Sequence, residues 1–436
     1  MKSRILIQLI VLTIAFSTMV SAQKIGDYHG VLSQKTTFEP TKISVEEARY
    51  IGINYITASD SILMKNCGTI LRRDLDFSPF FEIVLFDKFF LKHLELETMT
   101  ISAWKWLGTK YLVKLETEFP RNNIRLRYRL FDVDTKKEIE KGTFEAKKSE
   151  YRTAVHDMAN EILKFLTGDK GIYRTKVVYV KKIDDSKELF IADYDGQNEF
   201  QLTDNRSINI SPAFSPDGKY IYFTSYMDGD PKIYRLKLKD NSAELFAGFP
   251  GLNIAPAVSP DGRTIACVLS KDGNSEIYLL NENGRIKKRL THSRAIESSP
   301  TWSPDGKSIA FSSDRTGSPQ IYIMDADGKN MRRLTFVGSY NDSPDWSPRG
   351  DKIVYVSRAG RFTICTIDTT GRNHQVLAIY GNNENPHYSP DGNHIIFSST
   401  RLGPREIYTM DLFGNNQRRL TVRGGMSNPA WAPFNR

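Results

Sequence analysis

The sequence predicts an α+β two-domain protein: a small N-terminal α/β sandwich domain followed by a six-bladed β-propeller closed by a C-terminal strand. Three observations carry this expectation. Pro216, Pro260, Pro304, Pro348, Pro390 and Pro433 recur every 42–44 residues, in segments of the type SPTWSPDGKSIAFSS. Each repeat holds four short strand-like runs separated by turn residues, which is the pattern of a propeller blade. The first repeat lacks an innermost strand and the last is little else, so joining the two ends completes the sixth blade and leaves few open sheet edges.

In chain order, residues 1–22 read as a signal peptide: Lys2 and Arg4 precede an apolar run, and Val20, Ser21 and Ala22 form a small-residue cleavage site. The run is shorter than the ~20 residues that span a bilayer, and no cysteine follows it for lipid attachment. The chain is therefore expected to be exported, cleaved after Ala22 and without a direct membrane span. Losing Lys2 and Arg4 lowers the formal charge from +9 to +7. The remaining cations are dispersed, with no basic block and no nucleic-acid motif, so no nucleic-acid partner is expected. Cys67, Cys267 and Cys365 sit in apolar surroundings, as small buried hydrophobes do. No Cys/His cluster has metal-ligand spacing, and neither a metal nor a cofactor is expected.

Residues 23–166 make up the N-terminal domain. Residues 49–56 (RYIGINYI) read as a strand. Residues 59–75 read as an amphipathic helix, with Leu63, Cys67, Ile70, Leu71 and Leu75 at helical spacing and Ser59 or Asp60 as its cap. Residues 81–86 read as a buried strand. Alternation over 111–119 sets Tyr111, Val113 and Leu115 against Lys114, Glu116 and Glu118, and 124–130 interleaves Arg125, Arg127 and Arg129 in the same way. That arginine stripe reads as one face of a half-exposed strand before it reads as a phosphate site. A third strand follows near 142–146, and 152–166 closes the domain as a helix through Val155, Met158, Ala159, Ile162 and Leu166. Residues 167–175 (TGDKGIYRT) are the expected junction, and 176–436 the propeller.

Within the repeat, Ser-Pro-Asp-Gly is a turn: Pro presets φ, Asp closes an Asx-turn, and Gly accepts positive φ. Two residues before each repeat proline stand Phe214, Val258, Trp302, Trp346, Tyr388 and Trp431, large apolar groups suited to packing between blades. Trp431 is expected inside the first blade. Asp325 and Asp327 look like the start of a calcium loop, but the third acid and the closing Glu are missing, so the segment reads as a hairpin turn.

Chemistry is sparse. No G-x-S-x-G occurs, and the histidines show no triad or paired-ligand spacing; His387 and His394 fall on the first two strands of one blade. The residues just before each innermost strand should converge at the channel mouth. One position gives Asn209, Asn253, Glu297, Asn341, Asn383 and Met426; the next gives Ile210, Ile254, Ser298, Asp342, Glu384 and Ser427. Apolar anchors among amides and acids suit a protein-binding rim, although recurrent Asn equally suits a turn. Glu297, Asp342 and Glu384 keep an alternative open, a hydrolase or lyase acting on a small substrate in the central channel. Asp314, Arg315 and Arg401 form a second, weaker loop set.

The repeats, together with TKYLVKLETEF, RYRLFDVDTKKEIEKGTF and EILKFLTGDKGIYRTKVVYV, resemble the TolB family of periplasmic β-propellers of the Tol-Pal envelope system over most of the chain beyond the leader. The resemblance implies a non-enzymatic periplasmic protein without a cofactor. It implies a Pal-type peptidoglycan-associated lipoprotein bound at the propeller mouth, in support of outer-membrane integrity and cell division. It also implies contact with a TolA-type inner-membrane protein through the first residues of the mature chain. The segment QKIGDYHGVLSQKTTFEPTKISVEE, however, does not match the short box that carries this contact in the family. Family propellers can hold a cation in the channel, which no residue here demands.

Overall fold

The protein is described by a computed structural model over residues 39–53, 55–85 and 101–434. The expected signal peptide with its cleavage site, residues 23–38 of the following segment implied to meet a TolA-type protein, and Phe86 lie outside these residues. The N-terminal domain contains β1 (Thr41–Val45), β2 (Arg49–Tyr50), α1 (Ala58–Phe77), β3 (Phe81–Ile83), α2 (Ile101–Trp106), β4 (Tyr111–Glu118), β5 (Asn123–Asp132), β6 (Lys137–Lys147) and α3 (Tyr151–Thr167). Its sheet runs β3-β1-β4-β5-β6, with β2 also on β4. It is parallel around β1 and antiparallel from β4 to β6. The alternation on β4 and β5 buries Val113, Leu115, Leu126 and Leu130 against Leu71 and Leu75 of α1 and Val155 and Met158 of α3.

Several elements depart from expectation. β1 joins the sheet although its short segment carries no strong period, because parallel pairing to residues 81–83 and 111–113 secures it. The strand expected over 49–56 is only two residues long; after Ile51 donates to the Thr117 carbonyl at 3.0 Å the chain leaves the sheet. Thr57, not Ser59 or Asp60, caps α1, its Oγ1 accepting from the Asp60 N–H at 3.1 Å. The unforeseen α2 buries Trp104 against Leu112, Phe131 and Val133 on the sheet's other face. The arginine stripe is matched by glutamates. Arg125 meets Glu118 and Glu145 at 2.7 and 2.5 Å, Arg127 meets Glu118 at 3.3 Å, and Arg129 meets Glu138 at 2.5 Å.

The propeller has six four-stranded blades. Blade 1 joins Met426–Trp431 to Lys176–Ile183, Ser186–Asp193 and Phe200–Gln201. Blades 2 to 6 follow with innermost strands Asn209–Phe214, Asn253–Val258, Glu297–Trp302, Tyr340–Trp346 and Asn383–Tyr388. Closure occurs as expected: Trp431 pairs with Val177, is buried, and donates from Nε1 to Thr175 Oγ1 at 2.8 Å. At the Ser-Pro turn of blade 4, Ser303 Oγ donates to Asp305 at 2.6 Å and accepts from the Ser308 N–H at 2.9 Å; Gly306 takes φ +70°. The three cysteines are buried in separate clusters, and burial pushes the thiols of Cys67 and Cys365 up to about 12.

The N-terminal domain packs on the turn end of blades 6 and 1. His394 Nε2 donates to the Phe77 carbonyl at 2.8 Å with the two rings stacked at 4.2 Å, and Arg418 meets Asp76 at 2.5 Å. Tyr194 donates to the buried Asp74, whose other oxygen lies 2.7 Å from His156 Nδ1. Within 167–175, Ile172 and Tyr173 are buried. No helix among the described residues is long and apolar enough to cross a membrane.

Candidate functional site

Every innermost strand starts at the end of the propeller opposite its Ser-Pro turn, so the loops entering these strands gather on one face. The contacts just described to the N-terminal domain fall at the other end, so among the described residues this face is open. The strands surround a channel of about 700 Å³. In each, a residue with left-handed φ precedes proline: Ser211, Ala255, Ser299, Ser343, Asn385 and Asn428, at φ 46–53°. Each coincides with a shift in register. Such backbone costs roughly 1–3 kcal/mol per residue, and its recurrence in all blades marks an architectural bulge.

The repeat position after these prolines carries Ala213, Ala257, Thr301, Asp345, His387 and Ala430. Its three polar members tie neighbouring blades. Asp345 accepts the Tyr388 N–H at 2.7 Å and Thr301 Oγ1 at 3.4 Å, and His387 Nε2 stands 3.8 Å from Asp345. Burial holds the Asp345 carboxyl above the usual carboxylate range.

The twelve residues singled out in the sequence form two rings on the open face. Asn209, Asn253, Glu297, Asn341, Asn383 and Met426 are all buried, so this ring is removed from direct contact with a partner. Its side chains lock the entering loops. Asn253 Nδ2 donates to the carbonyls of Phe249, Gly251 and Pro231 at 2.7, 3.0 and 3.2 Å. Asn341 reaches Val337 and Gln320, both at 2.8 Å, and Asn209 reaches Glu188 at 2.9 Å. Glu297 substitutes a carboxylate for the amide and takes Arg315 at 2.7 Å as its counter-ion.

The second ring (Ile210, Ile254, Ser298, Asp342, Glu384 and Ser427) is half-buried, with Ile254 packed against the core between blades 3 and 4. Two of its acids are already engaged. Asp342 accepts from Tyr340 OH at 3.0 Å and from the Ser343 N–H at 2.7 Å. Glu384 forms a bidentate pair with Arg405 at 2.5 and 2.7 Å. Among the described residues, no group of three His, Cys, Asp or Glu side chains is arranged to hold a metal ion.

A second feature of the face was not read from the sequence. The loops entering blades 4, 5, 6 and 1 expose Ile296, Phe336, Val337, Ile379, Tyr380 and Val422, with Phe336 and Tyr380 72% and 71% accessible. Leu402, in the adjoining loop of blade 6, is likewise exposed. Blade 5 also raises a longer hairpin, Lys352–Ala359 and Arg361–Asp368, paired up to its tip, whose Phe362 meets Tyr340 edge-on at 5.8 Å. Exposed apolar side chains on one face of a folded domain are a mark of partner-binding surfaces. The available signal was apolar residues inside glycine-containing loops, as in TFVGSY and AIYGNN, where turn chemistry calls for polar ones.

The model of the TolB beta propeller domain matches residues 163–435, and that of the TolB amino-terminal domain matches 41–139. A "Tol-Pal system protein TolB" of Desulfosudis oleivorans is 37% identical over 182 residues, 41% of this chain and 42% of that relative. Its namesake in Orientia tsutsugamushi is 32% identical over 216 residues, 46% of this chain and 47% of the relative. The matched stretch thus spans less than half the length of these relatives. The crystal structure of TolB from Acinetobacter baumannii superposes with a TM-score of 0.79 at 28% identity, covering 91% of this chain and 97% of that one.

Proposed function

For a chain that belongs to the TolB β-propeller family, we propose a non-catalytic, protein-binding role in a periplasmic Tol-Pal assembly. The open face of the propeller receives a Pal-type peptidoglycan-associated lipoprotein, in support of outer-membrane integrity and cell division. One observation carries the reading. The half-buried ring and the exposed apolar side chains coincide on the face opposite the described contacts of the N-terminal domain. Apolar anchors inside a polar rim are what specific interfaces use. The channel reading as a hydrolase or lyase gains no support, because Glu297, Asp342 and Glu384 each serve a separate local contact and Asp345 serves the blade junction.

Titration of the mature chain with the soluble domain of the same cell's Pal-type lipoprotein tests the proposal. Ile254→Asp and Phe336→Asp should each weaken binding by at least about 1–2 kcal/mol, as for a moderate hot spot. Wild-type affinity in both variants would move the site off this mouth.

A further inference from the structure

Six similar blades present a near-symmetric ring, and a partner that reads only the repeated features has six equivalent ways to sit. Charge breaks this symmetry. On the sector formed by blades 4 to 6 and the loop into blade 1, Arg294, Arg358, Arg361 and Arg423 are exposed and have no ion pair among the described residues. Of the carboxylates in the same sector, Glu297 and Glu384 are ion-paired with Arg315 and Arg405, and Asp314 and Asp342 accept only neutral donors, so two anionic charges stand against the four arginines. Across the channel, the blade 1 hairpin and the loops of blade 2 expose Asp184, Asp185, Asp204 and Asp230, mixed with Lys182, Lys187 and Arg206. The sector rich in exposed apolar side chains is therefore also the one with surplus positive charge. Its arginines are partly stacked, with Arg358 over Phe362 at 5.5 Å and Arg333 over Phe336 at 4.8 Å. Stacking fixes a guanidinium plane and leaves its N–H edges free for carboxylates.

Resting on the docking role proposed above, we infer that the partner lays an acidic, apolar protein segment across blades 4 to 6, and that Arg294, Arg358, Arg361 and Arg423 fix its rotational register. Complementary charge of this kind governs encounter rate, salt dependence and orientation more than total affinity. A carboxylate-bearing segment meets unpaired cations here, whereas on the blade 1 and 2 side it meets exposed aspartates.

The test titrates the mature chain with the soluble Pal-type domain at about 50 and about 300 mM salt, a range over which screening of exposed charges changes strongly. The charge-reversed pair Arg358→Glu and Arg361→Glu, at an exposed hairpin tip, should weaken binding at least about tenfold at low salt and flatten the salt dependence. Arg294→Glu with Arg423→Glu should do the same, so the result does not depend on one hairpin folding. Asp184→Lys with Asp185→Lys should stay within about twofold of wild type. If Tyr380→Ser weakens binding while both arginine pairs behave as wild type, the docking face stands and the acidic-segment inference is overturned. If the wild-type chain does not bind the domain, the docking role fails and the inference falls with it. Arginine-dependent sedimentation with phosphatidylglycerol vesicles, with protein binding unaffected, would identify a lipid headgroup as the acid and overturn the inference.

Discussion

Closure of the ring by the last strand makes Trp431 the side chain on which the two ends of the propeller depend. It is 3% exposed, pairs with Val177 across the closure, and donates to Thr175, which itself donates to the Ile172 carbonyl at 2.6 Å. Trp431→Ala removes a buried indole that the surrounding strands cannot collapse to replace, a loss of roughly 3–5 kcal/mol. About 1 kcal/mol of this is the hydrogen bond to Thr175. Trp431→Phe keeps most of the ring and should cost about 1–2 kcal/mol, chiefly that bond. Against a typical native stability of about 5–15 kcal/mol, the alanine variant should show a clearly lower urea midpoint by far-ultraviolet circular dichroism. Leu245→Ala, on an outer strand at 52% exposure, is the control and should stay within about 0.5 kcal/mol. An alanine variant as stable as that control refutes the closure argument, and removal of residues 428–436 should fail in the same direction as Trp431→Ala.

Two further expectations follow from buried or paired polar groups. Asn253→Ala strands the carbonyls of Phe249, Gly251 and Pro231, so urea unfolding should show a loss of about 1–3 kcal/mol; unchanged stability with lost partner binding would place Asn253 in the interface itself. Lys110 at 2.8 Å and the Thr135 N–H at 2.8 Å hold the Asp132 carboxyl down to about 2. Because that lies below the unfolded value of about 3.9, the contribution is complete above about pH 4 and is lost as pH falls toward about 2. The stability gap between wild type and Asp132→Asn should therefore close over that window, and a gap constant with pH contradicts the assignment.

The propeller was legible because its determinants are local and repeated. Pro304, Asp305 and Gly306 specify a turn by their own backbone chemistry, and three further copies, with Pro348 and Pro433 at the same spacing, fix the period. β1 was not legible, since its strand character comes from pairing with residues nearly 40 and 70 positions away. The rings were legible in position but not in role. Asn209 and Asn253 look alike as surface amides or as buried pegs until the loop they bind is seen. Phe336 and Tyr380 failed for the opposite reason, because an apolar residue in a loop reads as core until its exposure is known.

The most direct test of the docking claim is hydrogen–deuterium exchange of the mature chain with and without the soluble Pal-type domain. Protection is expected in the loops at 334–340, 377–383 and 400–405, where Phe336, Tyr380 and Leu402 are exposed. Binding that leaves these loops unchanged and protects only the N-terminal domain would contradict a partner site on the open face of the propeller.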